Sequence, residues 1–107
     1  MQMDDEMELL ELSGPLDVRT TREVRTALHA LLEVPGRTVV VDLCKVTSAD
    51  VVALRVIAAA SRLASLSGGR VVLRSVPGPV RRLLTISRLA RVVEIEADVA
   101  IATPETG

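Results

Sequence analysis

The sequence predicts one α/β domain, a mostly parallel β-sheet with helices packed against it. Three observations carry that reading. Strand-like runs alternate along the chain with stretches of helical period, the order that strand–helix–strand units with right-handed crossovers produce. The helix-stop pairs Pro35-Gly36 and Gly68-Gly69 each stand just ahead of a β-branched run. Residues 1–107 are one small domain's worth of sequence, and 49% hydrophobic against 25% charged residues is ample for a core and argues against disorder.

The elements follow in order. Met7 to Ser13 mixes apolar and acidic residues in a strand-like run, closed by the turn pair Gly14-Pro15. Thr20 begins a capping box, Thr-Thr-Arg-Glu, with Glu23 three residues on. Behind it Val24, Ala27, Leu28, Leu31 and Leu32 form one stripe of an amphipathic helix that ends at Pro35-Gly36. Thr38 to Leu43 is a near-continuous β-branched run, as expected of a strand buried on both faces. Ser48 reads as the next N-cap, with helix from about Ala49 to Leu66 stopped by Gly68-Gly69. Arg70 to Val76 is another strand. Pro79 suits a first helical position, and Val80, Leu83 and Leu84 mark a short helix. Val92 to Ile95 reads as a last short strand and Asp98 to Ala102 as a final helical turn.

The composition excludes several kinds of chemistry. The chain has no Phe, Trp or Tyr, so the core is built of Val, Leu, Ala and Ile with three Met and one Cys. Base stacking of the kind single-stranded nucleic-acid binders use is excluded, and so are aromatic cages. Thirteen basic against fourteen acidic residues give a net charge of −1, so no global field favours nucleic acid or an anionic membrane. Cys44 cannot form an internal disulfide, and one Cys with one His cannot assemble a structural zinc site, which points to a reducing, cytoplasmic location. No apolar run approaches the roughly 18 residues of a membrane span, and the acidic start MQMDDEMELLEL is unlike a signal peptide. Lys45 is the only lysine among the basic residues, a bias that fits a G+C-rich genome.

Catalytic machinery is not evident. There is no phosphate-binding loop; the one glycine pair, Gly68-Gly69, precedes a strand and not a helix. His29 falls on the polar face of the first helix, where a solvated surface histidine is favoured over a catalytic base. Cys44 directly follows the buried strand, and a buried inert thiol is favoured over a redox switch because no resolving cysteine exists. Asp42 lies within a strand, while Asp50 stands at a helix start, where it favours the helix dipole. Arg70, Arg74, Arg81, Arg82, Arg88 and Arg91 oppose Asp4, Asp5, Glu6, Glu8 and Glu11 at the other end. Their scatter over several elements favours a solvated face over a phosphate site. No cofactor or metal is called for, and the chain reads as a non-enzyme.

The second helix is more informative. On a helical wheel Val52, Val56, Ala60, Ala53, Ile57, Leu63 and Ala64 form one broad apolar side expected to pack on the sheet, with Arg55 and Arg62 at a polar edge. Val51, Leu54 and Ala58 fall outside that stripe. Contact with a neighbouring helix would explain them, and so would an exposed docking patch rimmed by arginine.

The run VVVDLCKVTSADVVAL, Val39 to Leu54, resembles the signature of STAS domains, the anti-sigma-factor-antagonist family. In that pattern a hydrophobic strand leads to Asp-Leu-Ser, a Val-Thr pair, then Asp-Ser-Ser-Gly-Leu opening a helix. Without gaps Asp42-Leu43 matches the strand end, Val46-Thr47 the pair, Asp50 the motif aspartate and Leu54 the motif leucine. Upstream, LELSGPLDVRT is similar to the family's Leu-x-Gly-Glu-Leu-Asp-x-x-Thr segment, with Gly14, Leu16, Asp17 and Thr20 in register. SGGRVVL and VRRLLTISRLARVVEI resemble its later strand and its closing helix, loop and strand, so the resemblance covers about Met7 to Ile101.

The departures are as informative. The two motif serines fall on Val51 and Val52 and the motif glycine on Ala53. The family's switch is phosphorylation of a serine or threonine at the helix start by a partner kinase. The resemblance therefore implies that Val52, at the phosphoacceptor-equivalent position, leaves nothing to phosphorylate there; Thr47 and Ser48 remain nearby. The family's loop aromatic is replaced by Ser48 and its last-strand aromatic by Val93. Only six residues precede Met7, so the N-terminal strand region is expected to be shortened, leaving a sheet edge open to homodimerisation.

The resemblance implies a STAS-like bacterial signal-transduction module that works by protein–protein interaction. It would bind an anti-sigma factor, an ATPase-type serine kinase, and so control sigma-factor release and transcription. The contact surface would be Pro15, Leu16 and Asp17, the loop carrying Lys45, Thr47, Ser48 and Asp50, and the helix start with Val51, Val52, Leu54 and Arg55. Val51 and Leu54 would be apolar anchors and Arg55 a charged rim. A STAS subunit docking on an ABC-type or other transport ATPase is the alternative, and a nucleotide or lipid sensor a weaker one.

Overall fold

The computed structural model describes residues 7–96. Four strands and three helices alternate: β1 (Met7–Leu16), α1 (Thr21–Leu31), β2 (Thr38–Ala49), α2 (Val51–Leu66), β3 (Arg70–Arg74), α3 (Gly78–Ile86), a 3-10 turn at Leu89–Arg91, and β4 (Glu94–Ile95). All three strand pairings are parallel, in the order β1-β2-β3-β4. The α/β expectation holds, with the last strand shorter than Val92 to Ile95. The final helical turn expected at Asp98 to Ala102 lies outside the described residues, as does the N-terminal shortening expected ahead of Met7; β1 itself spans ten residues.

Register decides which side chains meet the helices. Leu10 pairs with Val41 and Val41 with Leu73, and this face carries Val39, Leu43 and Val71 as well. Those residues join Val24 and Leu28 of α1, Leu54 and Ile57 of α2, and Val80 and Leu84 of α3 in one core. The three helices therefore lie on one face of the sheet. Side chains alternate along a strand, so Leu9, Val40 and Val72 line the opposite face, which no helix covers among the described residues. Among the described residues no polar or charged side chain is buried, and the core is wholly aliphatic. Four alanines of α2, Ala53, Ala58, Ala60 and Ala64, are buried and leave room for close approach to the sheet.

Helix ends correct two expectations. Thr20 is the N-cap of α1, but its side chain makes no capping bond. Its Oγ1 instead accepts from the Asp17 N–H at 3.0 Å, so the capping box does not form. Ser48 is still in β2, and the cap of α2 is Asp50, whose carboxylate accepts from the Ala53 N–H at 2.9 Å. An ionised carboxylate there also meets the positive end of the helix dipole. At the other end the Gly69 N–H donates to the Ala64 carbonyl at 2.8 Å and that of Gly68 to Ser65 at 3.3 Å, a Schellman closure. Gly68 takes φ +80°, and a Cβ on Gly69 would stand 2.7 Å from the backbone oxygen of Arg37. That contact ties the end of α2 to the start of β2.

Candidate functional site

The long strand β2 is built in two parts. From Val39 to Leu43 the strand is regular: Val39, Val41 and Leu43 enter the helix-side core, and Val40 is buried on the opposite face. Beyond Leu43 the ladder with β1 slips twice, between Glu11 and Ser13 and between Gly14 and Pro15, with β2 carrying the extra residue each time. The first slip is held by Asp42, whose Oδ1 accepts from the Cys44 N–H at 2.8 Å. Past that place Val46 is buried and Ala49 packs partly buried against the core, while the pairs Cys44-Lys45 and Thr47-Ser48 are both exposed. The thiol expected to be buried is thus a surface thiol, because the bulge turns two successive residues outward.

These bulges bring together two segments about thirty residues apart in sequence. Ser13 pairs with Lys45, Pro15 with Ser48 and Leu16 with Ala49, and the Asp50 N–H donates to the Leu16 carbonyl at 3.0 Å. Pro15 to Asp17 therefore lies directly against the strand end that leads into α2. What was expected to be a loop from Lys45 to Asp50 is a bulged strand end, hydrogen-bonded to its neighbour and so preorganised. Beside it the turn is fixed by Asp17, whose carboxylate accepts from the Arg19 guanidinium at 2.9 Å. That hydrogen bond holds the Asp17 carboxyl below the usual carboxylate range.

Not every expected contact residue reaches the surface. Lys45, Thr47, Ser48, Pro15 and Arg55 are exposed, and Asp17, Asp50 and Val51 are half-buried. Leu16 and Leu54 are buried, at 2% and 0% exposure, and are corrected from contact-surface residues, Leu54 as an anchor, to core residues. The wheel misplaced Leu54 because both sides of α2 are apolar, and the true inward face is centred on Leu54, Ile57 and Ala58. Conversely Val52 and Leu63, expected against the sheet, are 48% and 52% exposed. Val52 thus occupies a surface position in the first turn of α2.

Sequence reasoning missed the company these exposed residues keep. Val52, Arg55, Val56, Ala59 and Leu63 line one wall of a shallow groove of about 400 Å³, and Arg25 and His29 of α1 line the other. His29 stays on the exposed polar face as expected, yet it borders this groove. Among the described residues no three His, Cys, Asp or Glu side chains gather as a metal ion would need, and no helix is long and apolar enough to cross a membrane.

Comparison with known proteins gives the family signal. The family described as "Mlab, STAS domain" matches residues 1–94. A protein from Thermotoga maritima assigned as an anti-sigma factor antagonist superposes with TM-score 0.77 at 25% identity, over 94% of this chain and 87% of its own. The anti-sigma factor antagonist SpoIIAA of Bacillus, in its unphosphorylated form, gives 0.71 at 16% identity over 94% and 90%. A sulfate transporter family protein from Wolinella succinogenes gives 0.67 at 17% over 92% and 84%. No curated protein matches the sequence.

Proposed function

The chain belongs to the STAS-domain family, and on that premise we propose that it is a regulatory module that binds an anti-sigma factor of the ATPase-type serine-kinase kind and thereby controls release of a sigma factor. The observation that carries this reading is the convergence of Pro15–Asp17 with the bulged end of β2 at the amino end of α2. The contact side chains are Pro15, Asp17, Lys45, Thr47, Ser48, Val51, Val52 and Arg55. Leu16 and Leu54 hold that surface from beneath, and Asp50 caps the helix that presents it.

Val52 stands where the family's resemblance places the phosphoacceptor. A valine has no hydroxyl, so the switch by added negative charge does not operate there and binding is constitutive with respect to it. The module acts in the cytoplasm and needs no cofactor.

Calorimetric titration against the serine-kinase anti-sigma factors of the same genome, with and without ATP, tests this. The expected result is a complex in both conditions, weakened by Lys45→Glu, with no phosphoryl group in the intact mass of the chain. Absence of any complex, or phosphorylation on Thr47 or Ser48, overturns it. STAS domains also occur in sulfate transporter proteins of this fold. Binding to a transport ATPase in place of the kinases would move the proposal to that partner.

A further inference from the structure

The described part of α2 is apolar on both sides, which is usual for a helix buried all round and unusual for one that covers a single sheet face. Its outward residues Val52, Val56, Ala59, Leu63 and Leu66 follow one another at steps of four, three, four and three. That is the spacing of the seam along which one helix packs on another in a coiled coil. Val52, Leu63 and Leu66 are 48%, 52% and 83% exposed, and no element of the described chain lies over them.

Arginine stands on both sides of this seam. Arg55 and Arg62 fall on the flank away from α1, while Arg25 and His29 border it on the α1 side. Among the described residues none of these three arginines takes part in an ion pair. The groove continues past His29 and Leu63 toward Leu32, Ala64 and Ser67, where Glu33 stands at the far end.

We propose that the outward face of α2, with the groove between α1 and α2, docks an amphipathic helix of a protein partner whose apolar seam is flanked by acidic side chains. The inference rests on the reading of this chain as a protein-docking module; it shares Val52 and Arg55 with the surface proposed above and extends along α2 to Leu63 and Leu66, away from the bulged strand end. Helix-in-groove binding reads anchors at i, i+3, i+4 and i+7, which the alternating spacing supplies. Acidic flanks answer Arg25, Arg55 and Arg62 and set the orientation of the bound helix. A second copy of this chain is a poor occupant, because seam-to-seam packing would set these arginines against their own counterparts. A bilayer surface fits less well too, since the seam lies in a groove and the chain has no Trp or Tyr to seat at a lipid interface.

The probe is a synthetic helix with leucines in heptad spacing and glutamates at the flanking positions, titrated into the ¹⁵N-labelled full chain. A second peptide carries lysine in place of each glutamate. The acidic peptide is expected to shift the amides of Arg25, His29, Val52, Ala59 and Leu63 and to bind more weakly as salt is raised. Leu63→Glu and Arg55→Glu are each expected to weaken it about tenfold or more with the amide spectrum otherwise intact. Equal binding of the lysine peptide, shifts confined to other elements, or no binding overturns the inference. Sedimentation as a dimer that Leu63→Glu dissociates, or pelleting with phosphatidylglycerol vesicles that Leu63→Glu abolishes, assigns the seam to another occupant and also overturns it. Lys45→Glu is expected to leave peptide binding unchanged, so failure of the anti-sigma reading and failure of this one are separable.

Discussion

Both sides of α2 carry a stripe of aliphatic residues, but the two stripes differ greatly in what they touch. Leu54 and Ile57 are 0% and 1% exposed, whereas Leu63 and Leu66, on the same helix, are mostly in solvent. Aliphatic content alone therefore does not pick out the inward face. Size did much of it: Ala53, Ala58, Ala60 and Ala64 line the inward side, where the helix backbone comes close to the strands, and the arginines were kept to the other. The outward side is free of that spatial constraint, so the fold does not call for Val52, Leu63 and Leu66 there, whereas the proposed docking does.

The sharpest way to break this contrast is to place the same charge on each side. Leu54→Asp buries a carboxylate with no partner in an aliphatic core, and its cost is expected to exceed about 4 kcal/mol, enough to unfold a domain of this size. Leu63→Glu is expected to stay within about 0.5 kcal/mol of the parent. Urea unfolding followed by circular dichroism measures both, and a folded, parent-like Leu54→Asp protein would contradict the assignment of faces. A milder pair asks the same of volume. Ala60→Leu is expected to overpack the inward face at about 1–3 kcal/mol. Ala59→Leu, one residue earlier on the outward side, is expected to change stability by less than about 0.5 kcal/mol.

Next in size is the cap that starts the helix. Asp50→Ala removes the bond to the Ala53 N–H and is expected to cost about 1 kcal/mol, within a usual range of about 0.5–2. Ser48→Ala, at the position the sequence favoured as cap, is expected to cost nothing measurable, since Ser48 is exposed within β2. Thermal unfolding of the two variants side by side decides which residue holds the helix end.

Much of the architecture was legible because its signals are local. The stripe Val24, Leu28, Leu31 and the β-branched run Thr38 to Leu43 set their elements whatever surrounds them, and Gly68-Gly69 marks a real helix end. The legible part of the site was its segments: the match of Pro15–Asp17 and Lys45–Arg55 to a family pattern named two stretches that the structure joins by hydrogen bonds. What stayed hidden depends on register. Two bulges in β2 carried the strand past Leu43 and turned Cys44 out; β2 itself has no glycine or proline there, and Gly14-Pro15, opposite the second slip, reads from sequence as a turn that closes the first strand. The inward side of α2 was hidden because a wheel ranks apolar residues but does not know which of two apolar stripes the sheet can reach.

The sheet repeats the contrast at smaller energy. Its helix side is aliphatic, while its open side sets Val72, beside Val40, between charged pairs: Arg70 with Glu94 and Arg74 with Glu96. The hydrogen bond from Arg70 holds Glu94 below the ordinary carboxylate value, and the bond from Arg74 does the same for Glu96. A carboxyl depressed in the folded state adds stability above its unfolded pKa, and that stability is lost as pH falls through the folded value. The double change Glu94→Gln, Glu96→Gln is therefore expected to lower stability slightly near neutral pH and to match the parent once both carboxyls of the parent are protonated. Both pairs are exposed, so the difference is expected to shrink in high salt as well. Urea midpoints across a pH series at two salt concentrations measure it. A difference that persists in acid would mean that the glutamates hold the open face by packing over Val72 and not by charge.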